Sequence, residues 1–220
     1  MVSTVSMEQI AAGLAHEIKN PIALVRANLD YLELEEEGNH KKNFLIMRRE
    51  LDKVNDLMLD FITLMKPGDY SQSRVKIHSL LWDAVDAAKT AYGAKIQFEY
   101  KTDSPEINVL CDKKKLSRVF ANILKNAVEA VQAGNPPEPA IEIVLRQSKR
   151  LAKIIIADNG VGLTPNELKS ISQPFYTTKS GGSGLGLFLC RSFLSDCGGT
   201  LKINGKEGNG CTVTVTLPLG

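Results

Sequence analysis

His16 and Glu17 stand side by side in the run Ala15-His16-Glu17-Ile18-Lys19-Asn20-Pro21. Imidazole is a nucleophile toward phosphorus, and an adjacent carboxylate can take the proton from one ring nitrogen and leave the other more reactive. The product would hold a P–N bond, a labile carrier rather than a lasting mark. An isolated surface histidine is usually inert. Here the neighbouring acid sets His16 apart, as do Leu14, Ile18 and Ile22, which should face a helical core and leave His16 angled toward solvent. His40, in a turn, and His78, at the start of a later helix, have no such setting. Asn20 falls one turn after His16 on the same helical face. Pro21 cannot donate to the carbonyl of Glu17, which predicts a bend just past the site.

Three further segments have residue types that suit a nucleotide. Asp158-Asn159-Gly160-Val161-Gly162 directly follows an apolar strand. A carboxylate at a strand end can accept from the exocyclic amine of a flat ring, and glycines let backbone approach it. Alone, these five residues read equally well as a simple turn. Gly181-Gly182-Ser183-Gly184-Leu185-Gly186-Leu187 opens a helix, where free N–H groups attract phosphate. It is neither a Walker A loop, lacking Gly-Lys-Ser/Thr at the required spacing, nor a dinucleotide fingerprint. Asn122 and Asn126, four apart in a helix, point the same way, and amide oxygens can coordinate Mg²⁺. Two solvated asparagines are the plain alternative. Lys113 to Lys115, behind the expected N-cap Asp112, read as a solvated face.

The elements that must position these groups fall into two regions. In residues 1–67, Met7, Ile10, Leu14, Ile18, Ile22, Val25, Leu29 and Leu32 form one amphipathic stripe. Phe44, Met47, Leu51, Val54, Met58, Phe61 and Met65 form a second, with heptad spacing. Gly38-Asn39 supplies a turn and Pro67-Gly68 a stop. The result is a helical hairpin whose second seam is widened by Leu45, Ile46, Leu57, Ile62 and Leu64. A twofold homodimer making a four-helix bundle would cover that surface, and packing on the chain's own second region is the alternative. Residues 68–72 form a polar linker. Residues 73–220 mix periods, with strands at 95–100, 107–111, 141–145, 151–157, 200–204 and 211–217 and helices at 79–92, 113–132 and 185–197. The order implies an α/β sandwich with helices on one sheet face, closed by a hairpin turning at 205–210.

The balance of 27 basic against 25 acidic residues, a net of +2, gives no electrostatic case for nucleic acid or an anionic membrane. No apolar run approaches the ~20 residues that cross a bilayer, so no membrane contact is expected of this stretch. Cys111, Cys190, Cys197 and Cys211 form no CxxC pair and no zinc spacing, and are expected as reduced thiols of a cytoplasmic protein. Residues 1–7 lack the layout of a secretion signal, and the early onset of helix suggests a piece of something longer.

Taken together, these segments resemble the catalytic core of two-component histidine kinases, whose ATP-binding domain belongs to the superfamily of gyrase, Hsp90 and MutL. Residues 15–21 look like the H box, Asn122 and Asn126 the N box, 158–162 the first glycine box, 174–179 the F box of the lid, and 182–186 the second glycine box. The resemblance implies ATP-dependent phosphorylation of His16 and transfer to an aspartate of a response regulator whose receiver domain docks near His16. It implies that Asp158 accepts from the adenine amine, that Gly160 and Gly162 line the base, and that Asn126 ligates Mg²⁺ with Asn122 near the phosphates. Gly184, Leu185 and Gly186 would bring N–H groups to the phosphates, with Phe175, Tyr176, Thr178, Lys179 and Ser183 contributed by the lid. Many relatives carry a cation shortly after the N box where this chain has Glu129, and Lys125 is the substitute within reach. At Asn20 the family's amide or hydroxyl is associated with positioning water to dephosphorylate the regulator, which implies a second, phosphatase activity. A regulatory protein on the bundle also fits the resemblance. The chain as a whole looks like sporulation-type sensor kinases, cytoplasmic parts of membrane-bound or soluble sensors. Two other classes compete: an ATP-gated dimeric ATPase of gyrase or Hsp90 type with no phosphoenzyme, and a non-catalytic docking scaffold.

Overall fold

The computed structural model describes residues 7–34, 40–65, 72–92, 95–179 and 184–220. The chain divides into two compact units, Met1–Gly68 with Pro174–Leu185, and Asp69–Gln173 with Gly186–Gly220.

The first unit holds helices α1 (Met7–Leu34) and α2 (Lys41–Met65), packed along each other. Leu14 and Pro21 of α1 and Met47 and Leu57 of α2 are buried between them. The helix α1 runs unbroken through Pro21. The heptad seam of α2 does not all face α1. Met47 is buried, but Phe44, Leu51 and Met58, spaced by sevens, are 58%, 53% and 42% exposed. Ile22 and Leu29, also seven apart, form a matching exposed column on α1, so Ile22 lies outside the interior of its own hairpin. Each such side chain gains roughly 1.5–3 kcal/mol when fully buried, so two apolar columns left wet represent a large unclaimed stabilisation. Glu50, almost fully buried on α2, is held by Lys53 Nζ at 2.7 Å. The expected turn at Gly38-Asn39 and linker residues 68–71 lie outside the described residues.

The second unit opens with β1 (Ser73–Lys76), α3 (Ile77–Tyr92), β2 (Gln97–Thr102) and β3 (Asn108–Cys111). It continues with α4 (Lys113–Gly134), β4 (Ala140–Ser148), β5 (Leu151–Asp158) and α5 (Pro165–Ser170). Helix α6 (Gly186–Asp196) and the hairpin β6 (Thr200–Gly205) and β7 (Cys211–Pro218) complete it. Five strands form one sheet in the order β2-β4-β5-β7-β6, with β2 parallel to β4 and the other pairs antiparallel. β1 and β3 pair separately as an antiparallel ribbon. Alternation in β4 and β5 buries Ile141, Ile143, Leu145, Ala152, Ile154 and Ile156, while α4 buries Leu116, Val119, Phe120, Ile123, Leu124, Ala127 and Val128 at helical spacing. Asp112 caps α4, accepting from the Lys114 and Lys115 amides at 2.9 and 3.1 Å.

Two elements have no counterpart in the periodicity. β1 is four residues without apolar alternation. α5 buries nothing and owes its start to a capping box, in which Thr164 and Glu167 satisfy each other's backbone N–H. The cysteines also correct an expectation: Cys111 and Cys197 are joined, with Cα atoms 5.5 Å apart, while Cys190 and Cys211 are free. A separation of 86 residues hid the pair, because only the fold brings the end of β3 to the end of α6. His78 has a structural setting, its Nδ1 lying 2.8 Å from the Tyr100 hydroxyl.

Candidate functional site

Helix α4 carries Asn122, Asn126 and Ala130 at four-residue intervals, hence on one face. Gly186, the first residue of α6, packs so closely there that a Cβ would overlap the Asn122 amide. At the other end Val161 N donates to Ala130 O at 3.2 Å, and a Cβ on Gly160 would strike the Ala130 carbonyl. The strip between the two glycines is about 12 Å long at 1.5 Å per residue, comparable to a nucleoside triphosphate from base to terminal phosphate. Asn126 sits midway, half-buried. Among the described residues no group of three or more His, Cys, Asp or Glu converges as a metal cage. An amide oxygen on this strip instead suits Mg²⁺, which keeps waters and is commonly shared with substrate phosphates.

Asp158 ends β5, half-buried. Its Oδ1 accepts from Gly160 N at 3.0 Å and from Cys211 N, on the neighbouring strand, at 3.3 Å. The carboxylate is therefore held in one orientation. Asn159 does a different job: Ala140 N donates to its Oδ1 at 2.9 Å and its Nδ2 donates to Glu138 O at 2.6 Å, tying the turn to β4. Gly162 has φ +71° and abuts the Lys206 carbonyl, and Gly208 N donates to Val161 O at 2.7 Å. A cleft of about 500 Å³ opens beyond this turn, lined by Leu163, Pro165, Leu168, Gly205, Lys206, Glu207 and Gly208. None of the residues singled out from sequence lines it. Gly205 pairs with Cys211, which pairs with Asp158, so the cleft wall lies two strands from the carboxylate.

Cys211 was not anticipated as part of this neighbourhood. Burial, then the charges of Asp158 and Glu167, push its thiol up to about 11. Alkylation requires the thiolate, and against an ordinary thiol value of 9.0 the thiolate fraction at pH 8 falls from roughly a tenth to roughly a thousandth. Cys211 should therefore react with iodoacetamide at pH 8 about 100-fold more slowly than a small free thiol. Peptide mass spectrometry against time checks this, and reaction at the free-thiol rate would contradict the burial.

The loop base is pinched. Phe175 N donates to Gly184 O at 3.1 Å, and both residues have positive φ, +63° and +64°. A Cβ on Gly184 would overlap the Phe175 backbone, so glycine is required there. In the same unit the Phe175 ring lies against Gly13, three residues before His16. Tyr176 is half-buried, Thr178 and Lys179 are exposed, and Lys179 N donates to Thr177 Oγ1 at 3.1 Å. Leu185 is fully buried and anchors the entry to α6. Ser183 lies outside the described residues. The backbone of His16 and Glu17 belongs to α1, but their side chains lie outside the described residues; Asn20 and Lys125 are exposed.

The structure thus brings Asn122, Asn126, Gly160 and Gly186 to one strip, with Asp158 tied to its end through Gly160 N, and Phe175 and Gly184 to one loop base. Ala130 and Gly134 of α4 and Cys211 of β7 belong to the same neighbourhood and do not stand out in the sequence. The signal for them was small: Gly134 abuts Val161 N, and Gly208-Asn209-Gly210 makes the tight turn that delivers Cys211.

Residues 6–69 match the His Kinase A (phospho-acceptor) domain, and residues 111–220 match the histidine kinase-, DNA gyrase B- and HSP90-like ATPase family. Sporulation kinase E of Bacillus subtilis is 31% identical over 214 residues, covering 96% of this chain but 28% of that protein. Among solved structures, full-length ShkA in complex with AMPPNP is 25% identical with a TM-score of 0.67, covering 98% of this chain and 46% of ShkA. Histidine kinase AdeS of Acinetobacter baumannii shares the fold, with a TM-score of 0.75 at 16% identity over 93% of this chain and 98% of that one. The chain spans half or less of the length of curated relatives that it matches.

Proposed function

The chain belongs to the histidine kinase family, with a phospho-acceptor segment and an ATPase segment in one polypeptide, and on that premise we propose that it transfers the γ-phosphoryl group of ATP to His16. The observation that carries this reading is the α4 strip, fixed at one end by Gly186 on Asn122 and at the other by Gly160 on Ala130. Adenine sits at the Asp158 end, its amine donating to the carboxylate. The phosphates lie at the α6 end, where the backbone of residues 184–186 meets their charge. Asn122 faces them, Lys125 would supply a cation at the rim, and Lys179 and Ser183 are the lid residues that would contact the γ-phosphate. Asn126 would hold Mg²⁺, which when bound neutralises phosphate charge.

In the chemical step an imidazole nitrogen of His16 attacks the γ-phosphorus in line, the bond to the β-γ bridging oxygen breaks, and ADP leaves with that electron pair. Glu17 takes the proton from the other ring nitrogen. An aspartate on the receiver domain of a response regulator then attacks the same phosphorus and restores the free imidazole. Asn20, one turn on and exposed, would orient water against the phosphorylated regulator, a second activity. The regulator and any regulatory protein dock on the exposed hairpin, and the reaction takes place in the cytoplasm.

The columns Phe44, Leu51, Met58 and Ile22, Leu29 are the surface that a second copy covers to build a four-helix bundle. Leu51→Glu should convert the dimer to a monomer in light scattering at micromolar concentration, because it sets a charge in a desolvated seam. A dimer of unchanged stability would move the interface elsewhere.

The decisive test is incubation with [γ-³²P]ATP. Label that is lost in acid, kept in alkali and chased onto a receiver domain is the expected result. Acid-stable label, or steady ATP turnover with no phosphoprotein, would overturn the reading in favour of a gyrase-type ATPase.

A further inference from the structure

We propose that Cys111 and Cys197 are a reversible dithiol whose oxidation locks α6 against the start of α4 and so holds the phosphate end of α6 ready for nucleotide. The proposal deepens the kinase reading and, for its functional consequence, rests on it. Cys111 closes β3 directly before the cap residue Asp112, and Cys197 follows the last residue of α6. The two helices pack along each other at three levels. Lys115 Nζ meets Asp196 Oδ2 at 3.3 Å and lies 5.2 Å over the Phe193 ring. Cys190 Sγ lies 3.8 Å from Val119 O, and Gly186 abuts Asn122 at the far end. A bond at Cys197 therefore fixes the register of the whole contact, including the glycine that opens the phosphate-facing turn.

The Lys115 contacts keep the two sulfurs near each other without the bond, which reversibility needs. In a reducing compartment such a pair is ordinarily open and closes only under oxidation. Cys197 is half-exposed whereas Cys111 is 1% exposed, which orders the chemistry. The thiolate of Cys197 attacks one sulfur of a low-molecular-weight disulfide and expels one thiolate. Cys111, its proton lost to solvent, then attacks the Cys197 sulfur and expels the second. The protein pair is oxidised by two electrons, and the small disulfide is reduced to two thiols.

The test equilibrates the full chain in glutathione buffers from fully reduced to fully oxidised, then blocks free thiols and maps peptides without reduction. Expected are a linked Cys111–Cys197 peptide that appears within that range, a melting temperature higher by on the order of 10 °C when oxidised, and roughly 3- to 10-fold tighter binding of a fluorescent ATP analogue. Cys197→Ser, at a half-exposed position that should fold where Cys111→Ser does not, should bind like the reduced chain in every buffer. No linked peptide in oxidised buffer, a bond that survives fully reduced buffer, or equal nucleotide binding by both forms would each overturn the proposal. Label transfer reports separately: a redox-dependent link in a chain that never phosphorylates itself would sink the kinase reading, whereas phosphorylation without a link would sink only this one.

Discussion

His16→Gln should reduce label transfer from ATP to the protein by ~10³-fold or more, to background, while nucleotide binding changes less than about twofold. Glutamine is close to histidine in reach and is a good helix former, so α1 is retained. What it lacks is a nitrogen lone pair able to attack phosphorus. The separation of binding from chemistry is the informative part, since the nucleotide strip on α4 draws on no residue of α1. Glu17→Gln gives the graded version. It removes the proton acceptor while leaving the nucleophile, and general-base loss typically costs ~10²–10⁴ in rate. Rates of acid-labile labelling for the two variants, with analogue binding measured alongside, check both. Full labelling of His16→Gln would mean that another nucleophile receives the phosphate, and unaltered kinetics in Glu17→Gln would take that carboxylate out of the mechanism.

The parts of this molecule that the sequence made legible are those in which local pattern and tertiary role coincide. The α4 stripe from Leu116 to Val131 is periodic because the helix is buried along one face, and Asn122 and Asn126 stood out as polar residues set within it. Asp158 was visible because β5 ends there and glycines follow. The rest depends on contacts between distant residues. Nothing local distinguishes Ala130 from any other helical alanine, yet its carbonyl seats Gly160. Cys111 and Cys197 look like two ordinary buried thiols until β3 and α6 are docked. The α2 seam is legible only in part: heptad spacing marks apolar surface without saying which partner covers it, and the hairpin itself leaves Phe44, Leu51 and Met58 exposed. β1 and α5 carry too few apolar residues for periodicity to register, so pairing and capping decide them.

Asp158→Asn should invert base preference, and the reason lies in how the carboxylate is held. Oδ1 is committed to two backbone donors, Gly160 N and Cys211 N. Asparagine can keep its carbonyl oxygen in that place, so the turn survives, but its amide then presents a donor where the adenine amine also donates. Alanine is the blunter change, because it strands both backbone N–H groups at about 1–3 kcal/mol each and confounds recognition with folding. For Asn, losing a charge-assisted hydrogen bond and gaining a donor–donor clash should cost about 2.5–4 kcal/mol, or roughly 10²- to 10³-fold in ATP affinity. A keto-bearing purine gains by the same exchange, since its 6-oxygen accepts from the new amide. Competition between ATP and GTP for the wild-type and Asn chains, with melting temperature as the control for folding, measures the effect. If both nucleotides weaken equally while the fold holds, Asp158 supports the turn without reading the base. The adenine contact must then be sought across β7, in the cleft lined by Leu163, Leu168 and Lys206.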